Sequence, residues 1–158
     1  MPNSTISAEN PLKGGCFCGQ ASYTITAPPK MRAYCHCTGC QRLNACPYNW
    51  TIHNDASNFT FTHPQPHAER LDSFVNPDKP WKTRFRCKTC GCTVASKNSK
   101  TNNVSVWGPH LERDNEGMIK RSDEVKPTAH IFYGTRIADV NDGLPKWEGY
   151  EGTSNRMG

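Results

Sequence analysis

Apolar residues are scarce in this chain: they make up 35% of 158 residues, against about 45–50%, glycine included, in an ordinary globular domain. A sequence this short and this polar buries one modest core, which excludes the two large domains of most cofactor-dependent oxidoreductases. No apolar run approaches the roughly 20 residues that span a bilayer, so a membrane-spanning helix is excluded. Long apolar stripes of period 3.6 are missing as well, which argues against a helical bundle. The first ten residues have neither a basic stretch nor an apolar one, so nothing in them directs the chain to an oxidising compartment; a cytoplasmic protein with reduced thiols is expected. Acidic residues are absent from 10–54 and again from 79–111.

What the sequence does hold is cysteine, nine of them. An odd count leaves one thiol over in any fully disulfide-bonded scheme, and metal binding becomes the favoured use. All nine lie in the two acid-free windows, together with eleven cations (Lys13, Lys30, Arg32, Arg42, Lys79, Lys82, Arg84, Arg86, Lys88, Lys97 and Lys100). The net charge of +5 is therefore concentrated around the cysteines. Such a field suits either thiolate metal sites, which tolerate carboxylates poorly, or an anionic ligand.

Short β-branched and aromatic runs separated by Gly, Pro, Asn and Asp recur along the chain: Gln20–Thr26, Tyr48–His53, Phe59–Thr62, Leu71–Val75, Trp81–Arg86, Thr93–Ser96, Val104–Trp107 and His130–Tyr133. This pattern predicts a mainly antiparallel β domain. Thr38–Asn44 and Asp114–Lys120 are the candidate short helices. Prolines at 64, 66, 77 and 80 bracket a segment that reads as an inserted hairpin or loop. Residues 1–11 are polar and 149–158 are Gly, Ser and Asn rich, so both ends are expected to be flexible around a domain spanning 12–148.

Three cysteine clusters carry the chemistry. Cys16 and Cys18 stand between glycines, Cys35, Cys37 and Cys40 fall within six residues, and Cys87 and Cys90 precede Gly91 and Cys92. A thiolate pair on a tight turn grips one tetrahedral zinc but needs two more ligands. Cys87/Cys90 has the spacing of a zinc knuckle, and Cys16/Cys18 offers the other half. The middle cluster supplies three thiolates, leaving a fourth position for water or a substrate thiol, which is how catalytic zinc sites are built. Cys46 and Cys92 read as small buried residues, with Cys46 the alternative fourth ligand that would close the middle site.

The order Gly14-Gly15-Cys16-Phe17-Cys18-Gly19, Cys35-His36-Cys37-Thr38-Gly39-Cys40, Cys87-Lys88-Thr89-Cys90-Gly91 and Pro127-Thr128-Ala129-His130-Ile131-Phe132 resembles the glutathione-dependent formaldehyde-activating enzyme family, which also includes centromere protein V. The resemblance covers about residues 12 to 147 and rests on seven cysteine positions in order. It implies an Mss4-like fold of coiled antiparallel β-sheets with two zinc ions. It further implies that Cys16, Cys18, Cys87 and Cys90 hold a structural zinc and that Cys35, Cys37 and Cys40 hold a catalytic one. The implied activity is that of a carbon–sulfur lyase, joining glutathione and formaldehyde to give S-(hydroxymethyl)glutathione in the synthetic direction. The chain departs from the family pattern at Gln41, where a cation is usual, and at Ala45 and Cys46, near a usual glycine and small residue.

Arg42 and one arginine of the alternating set Lys82, Arg84 and Arg86, taken as Arg86, are the candidates for gripping a substrate carboxylate. His36, flanked by two ligands, points away from them in an extended stretch, and His130 reads as a hydrogen-bonded structural histidine. The four tryptophans fill the thin core, with one of them available to wall a pocket. The cation run from Lys79 to Lys100, interleaved with Trp81 and Phe85, carries the competing reading of a zinc-stapled module that binds nucleic acid, chromatin or the cytoskeleton. A third reading turns the same zinc scaffold to another small-molecule reaction.

Overall fold

The computed structural model describes residues 4–158, the first three residues of the N-terminal segment lying outside the described residues. In chain order these form β1 (Leu12–Gly15), β2 (Ser22–Ile25), β3 (Met31–Cys35), α1 (Thr38–Asn44), β4 (Asn49–Asp55), β5 (Phe59–Phe61), β6 (Leu71–Val75), β7 (Lys82–Cys87), β8 (Thr93–Asn98), β9 (Asn103–Trp107), α2 (Ser122–Val125) and β10 (His130–Ile131). The protein is mainly β. One sheet has three strands in the order β1-β2-β5, and the other has seven in the order β10-β3-β4-β9-β8-β7-β6. Every pairing is antiparallel except β10 with β3. No helix among the described residues is long and apolar enough to cross a membrane.

The eight runs expected to be strands each overlap one. Two strands escape that pattern. β1 reads Leu-Lys-Gly-Gly, poor in strand formers, and pairs with β2 because glycine leaves room for a neighbouring ring: a Cβ on Gly14 would sit 2.4 Å from the Tyr23 hydroxyl. β3 has few β-branched residues, yet it lies between β10 and β4, and its backbone groups are paired on both edges. Thr38–Asn44 is helical as expected, capped at its start by the Cys37 sulfur, which accepts from the Cys40 N–H. Asp114–Lys120 is not a helix. The Asp114 carboxylate accepts from the Glu116 and Met118 N–H groups and Gly117 adopts φ 82°, so the segment is a turn bridged at Arg113 and Ile119. The proline-bracketed segment supplies β6, the edge strand of the large sheet.

Alternation along the strands sorts side chains between two faces. Ile52, Val94, Val104 and Val106 of the large sheet meet Tyr23 and Ile25 of the small one, with Leu12, Leu111 and Val125 completing the core. Each such side chain contributes roughly 1.5–3 kcal/mol on burial. A second, smaller apolar cluster of Ala33, Cys35 and Ile131 packs with Cys37, Cys40 and Phe132. The final segment folds back: Lys146 N–H donates to the Gly158 carbonyl at 2.9 Å and Trp147 bridges to Arg156.

Candidate functional site

The sulfurs of Cys16, Cys18, Cys87 and Cys90 lie within 4.8 Å of one another. Cys16 and Cys18 come from the turn between β1 and β2, Cys87 ends β7, and Cys90 lies in the turn to β8, so this cluster joins the two sheets. The turns form because Gly19 and Gly91 take φ of 79° and 74°, which side chains resist. Cys18 stands 3.7 Å from both Cys16 and Cys87. Zinc–sulfur bonds of about 2.3 Å in a tetrahedron require sulfurs about 3.8 Å apart, so the four-thiol cradle fits zinc.

Cys35 ends β3, Cys37 caps α1 and Cys40 lies in its first turn, and their sulfurs also lie within 4.8 Å of one another. Among the described residues no fourth metal-binding side chain joins them. Cys46 turns away, its thiol 3.1 Å from Asn49 Oδ1, and Cys92 stands 3.1 Å from His110 Nε2. Three thiols this close share charge unequally. Hydrogen bonds from the Cys35 and Cys40 thiols and from backbone N–H groups hold Cys37 far below the ordinary thiol range, while the same sharing and burial push Cys35 up. A divalent cation is what allows all three to ionise together, and the donor set is that of zinc.

A shell of hydrogen bonds fixes the loop that bears these thiols. His36, between two of them, is pinned through its N–H to the Ile131 carbonyl at 3.0 Å, and its own carbonyl accepts from Gln41 Nε2 at 2.7 Å and Thr135 Oγ1 at 3.0 Å. Gln41 thus replaces a cation with a two-ended clamp, since its Nε2 also donates to the Thr135 carbonyl. The His36 ring is fully buried, with Nε2 2.8 Å from His130 Nδ1, and His130 Nε2 is 2.9 Å from Asp142 Oδ2. Asp142 had no sequence signal, because nothing in the pattern near residue 142 announces a partner for a histidine twelve residues earlier.

A cavity of about 510 Å³ opens beside Cys35, Cys37 and Cys40. Its floor is the second face of the large sheet: Met31 and Cys35 of β3, Thr51 and His53 of β4, Asn103, Ser105 and Trp107 of β9, Ser96 and Asn98 of β8, Lys82 and Arg84 of β7. Every contribution keeps the period of two. Lys30 and Lys79 add charge, and Phe132, Tyr150, Glu151 and Thr153 form a further wall. Desolvation and the neighbouring Arg84 and Lys79 lower the Lys82 pKa, and burial lowers that of His53 to about 4.

The two arginines chosen from the sequence do not line this cavity. Arg42 lies exposed in α1, two residues and so about 200° around the helix from Cys40. Arg86 follows a bulge in the β7–β8 ladder and pairs with Asp72 on β6 at 3.4 Å. Arg84, of the same alternating set, faces the cavity and bonds the Ser96 hydroxyl. Of the tryptophans, Trp107 is the one at the cavity, whereas Trp81 lies under the Lys100 ammonium at 3.4 Å. The contributions of Tyr150 and Glu151 were hidden by the Gly- and Ser-rich composition around them.

A crystal structure of a Rhodobacter sphaeroides protein, a structural-genomics target, is similar in fold, with a TM-score of 0.51 and 21% identity over 73% of this chain and 97% of that one. No curated protein sequence matches the chain. The sequence model of the glutathione-dependent formaldehyde-activating enzyme family matches residues 11–135. With that match extending over both cysteine clusters, the chain belongs to the glutathione-dependent formaldehyde-activating enzyme family.

Proposed function

We propose that the protein is a zinc-dependent enzyme of the carbon–sulfur lyase type that interconverts a small anionic thiol plus an aldehyde with their hydroxymethyl-type thioether adduct, glutathione and formaldehyde being the family's pair. The observation that carries this reading is a three-thiol cluster, short of one metal ligand, at the edge of a cavity lined by Lys30, Lys79, Lys82 and Arg84. Cys35, Cys37 and Cys40 hold the catalytic zinc in this reading, and Cys16, Cys18, Cys87 and Cys90 a structural one. What the catalytic metal supplies when bound is a Lewis acid that favours thiolate over thiol at neutral pH.

The chain's own residues hold and orient. Lys82 and Arg84 receive substrate carboxylates, Trp107 and Phe132 present apolar walls that exclude water, and the His36 clamp keeps the three sulfurs facing the cavity. In the forward direction the sulfur–carbon bond forms as the carbonyl π bond opens, and the thiol proton ends on the new hydroxyl oxygen, so no oxidant or reductant enters. Convergence of the cations on a concavity, rather than in a stripe, supports a small anion over a phosphate backbone.

The test is exchange between labelled formaldehyde and its glutathione adduct, followed by NMR with the zinc-loaded protein. Wild type should accelerate exchange over buffer, Cys37→Ser should abolish the acceleration while the chain stays folded, and Cys90→Ser should unfold it. An unaccelerated rate with wild type refutes the activity, and equal unfolding by the two variants refutes the division between the clusters.

A further inference from the structure

The family match ends at residue 135, yet the chain beyond it returns to the cavity. Trp147 N–H donates to the His130 carbonyl at 2.9 Å, and a turn follows in which Gly149 N–H donates to Ser154 Oγ and Ser154 Oγ donates to the Tyr150 carbonyl, each at 2.8 Å. That turn presents Tyr150, Glu151 and Thr153 to the cavity. Tyr150 rests edge-on against Phe132 with ring centroids 5.0 Å apart.

Glu151 is the one carboxylate among the described residues that line the cavity. Of the four cations there, Lys30 is taken by Asp55 at 3.2 Å and Asn103 at 2.9 Å, while Lys79, Lys82 and Arg84 make no ion pair among the described residues. Glu151 makes none with them either. It is placed instead by a neutral group, its Oε2 lying 3.1 Å from Thr128 Oγ1, a hydroxyl that also reaches the Arg32 carbonyl at 3.2 Å.

Topology explains why the opposite charges stay apart. Lys82 and Arg84 belong to β7, near one end of the seven-stranded sheet, and Thr128 precedes β10 at the other. Five strand spacings of about 4.8 Å separate β7 from β10 along the sheet, and its curl brings both to one cavity. The three thiols line the same cavity. A carboxylate kept unpaired in a basic cavity, at the end remote from the free cations, is matched by a ligand with an ammonium at one end and carboxylate at the other.

We propose, building on the thiol–aldehyde reading, that the C-terminal turn is a specificity element of this chain and that Glu151 binds the free ammonium of an amino-acid-type thiol whose carboxylate is held by Lys82 and Arg84. Tyr150 closes the wall beside it. The substrate class is a zwitterionic amino-acid or peptide thiol, distinguished from simple acidic thiols by its amine.

Calorimetric titration of the zinc-loaded full chain with glutathione and with N-acetylglutathione, whose amine is capped, tests this. Wild type should bind the free-amine thiol roughly tenfold more tightly, the effect of one charge-assisted hydrogen bond in a partly desolvated site. Glu151→Gln, which keeps the acceptor for Thr128, should lose that preference while binding the capped thiol within about twofold of wild type. A wild type without preference, or a variant that retains it, overturns the assignment of Glu151 and leaves the thiol reading intact. Failure of wild type to bind either thiol overturns both.

Discussion

Replacing His130 by Phe tests whether the buried histidine pair holds the metal-binding loop. Burial works against the Asp142 carboxylate, but hydrogen bonds from His130 and the Leu144 N–H outweigh it and hold its pKa below the usual range, so it accepts from His130 Nε2. With Nε2 donating to Asp142, the singly protonated His130 ring accepts at Nδ1, and His36 Nε2 donates across the 2.8 Å contact. His36 is neutral at pH 7, since burial and the neighbouring His130 lower its pKa to about 4. Both rings have 0% exposure, so water does not replace a lost partner. His130→Phe orphans the His36 N–H, costing about 1–3 kcal/mol, and removes the Asp142 bond, worth about 1 kcal/mol because that carboxylate is 32% exposed and rehydrates. His36→Phe similarly orphans His130 Nδ1. The double variant leaves no orphan between the two positions, and the ring sits among Tyr34, Tyr48 and Tyr133. Urea unfolding of the four zinc-loaded proteins should therefore give a coupling of about 2–6 kcal/mol, the two orphan costs together, the double variant being more stable than the sum of the singles implies. Additivity within about 0.5 kcal/mol would refute the reasoning.

Ala45 caps α1 with φ 48° and ψ 49°, a conformation costing a non-glycine residue about 1 kcal/mol; Ala45→Gly should raise the unfolding free energy by about 0.5–1 kcal/mol, and a loss would show that the cap is not strained. His53 has a folded pKa of about 4, lowered by burial and then by Lys82, below the ordinary value of about 6.5. The unfolded chain thus takes the proton first, so this residue's contribution is complete above pH 6.5 and declines as pH falls toward 4. Between pH 7 and 5.5 the decline amounts to about 1 kcal/mol, and His53→Phe should flatten the measured pH dependence of stability by that amount; an unchanged slope counts against it. Arg84→Ala should raise KM for glutathione about tenfold with kcat little changed, whereas Arg42→Ala should change neither by more than about twofold in the same exchange assay. Reversal of the two would return the anion site to α1.

The β class was readable because its signals are local. Leu71–Val75 and Thr38–Asn44 coincide with β6 and α1, and the cysteine spacings alone group Cys35, Cys37 and Cys40, whose separation is short enough for one turn to close. β1 was hidden because its reason for being a strand lies in another residue, the Tyr23 ring over Gly14. Alternation fixes a face but not a position along it, so the sequence does not separate Arg84 from Arg86. Only the bulge and the presence of Asp72 on the adjoining strand decide which arginine is free. The wall made by Tyr150 and Glu151 depends on the chain returning past His130, and no periodicity encodes a return.

The proposed division of labour between the clusters rests on the lengths of chain they would close. Cys16 and Cys90 are far apart in sequence and lie in turns that extend from different sheets, so a metal shared between them would remove much of the unfolded chain's freedom and hold two layers around a thin core. Cys35 and Cys40 are five residues apart, and the loop between them is already fixed by the Ile131, Gln41 and Thr135 hydrogen bonds to His36. A metal there closes almost nothing that the protein has not closed itself. Its affinity can then be spent on a ligand from the cavity rather than on folding, and the acid-free windows place the cations where that ligand's charge arrives.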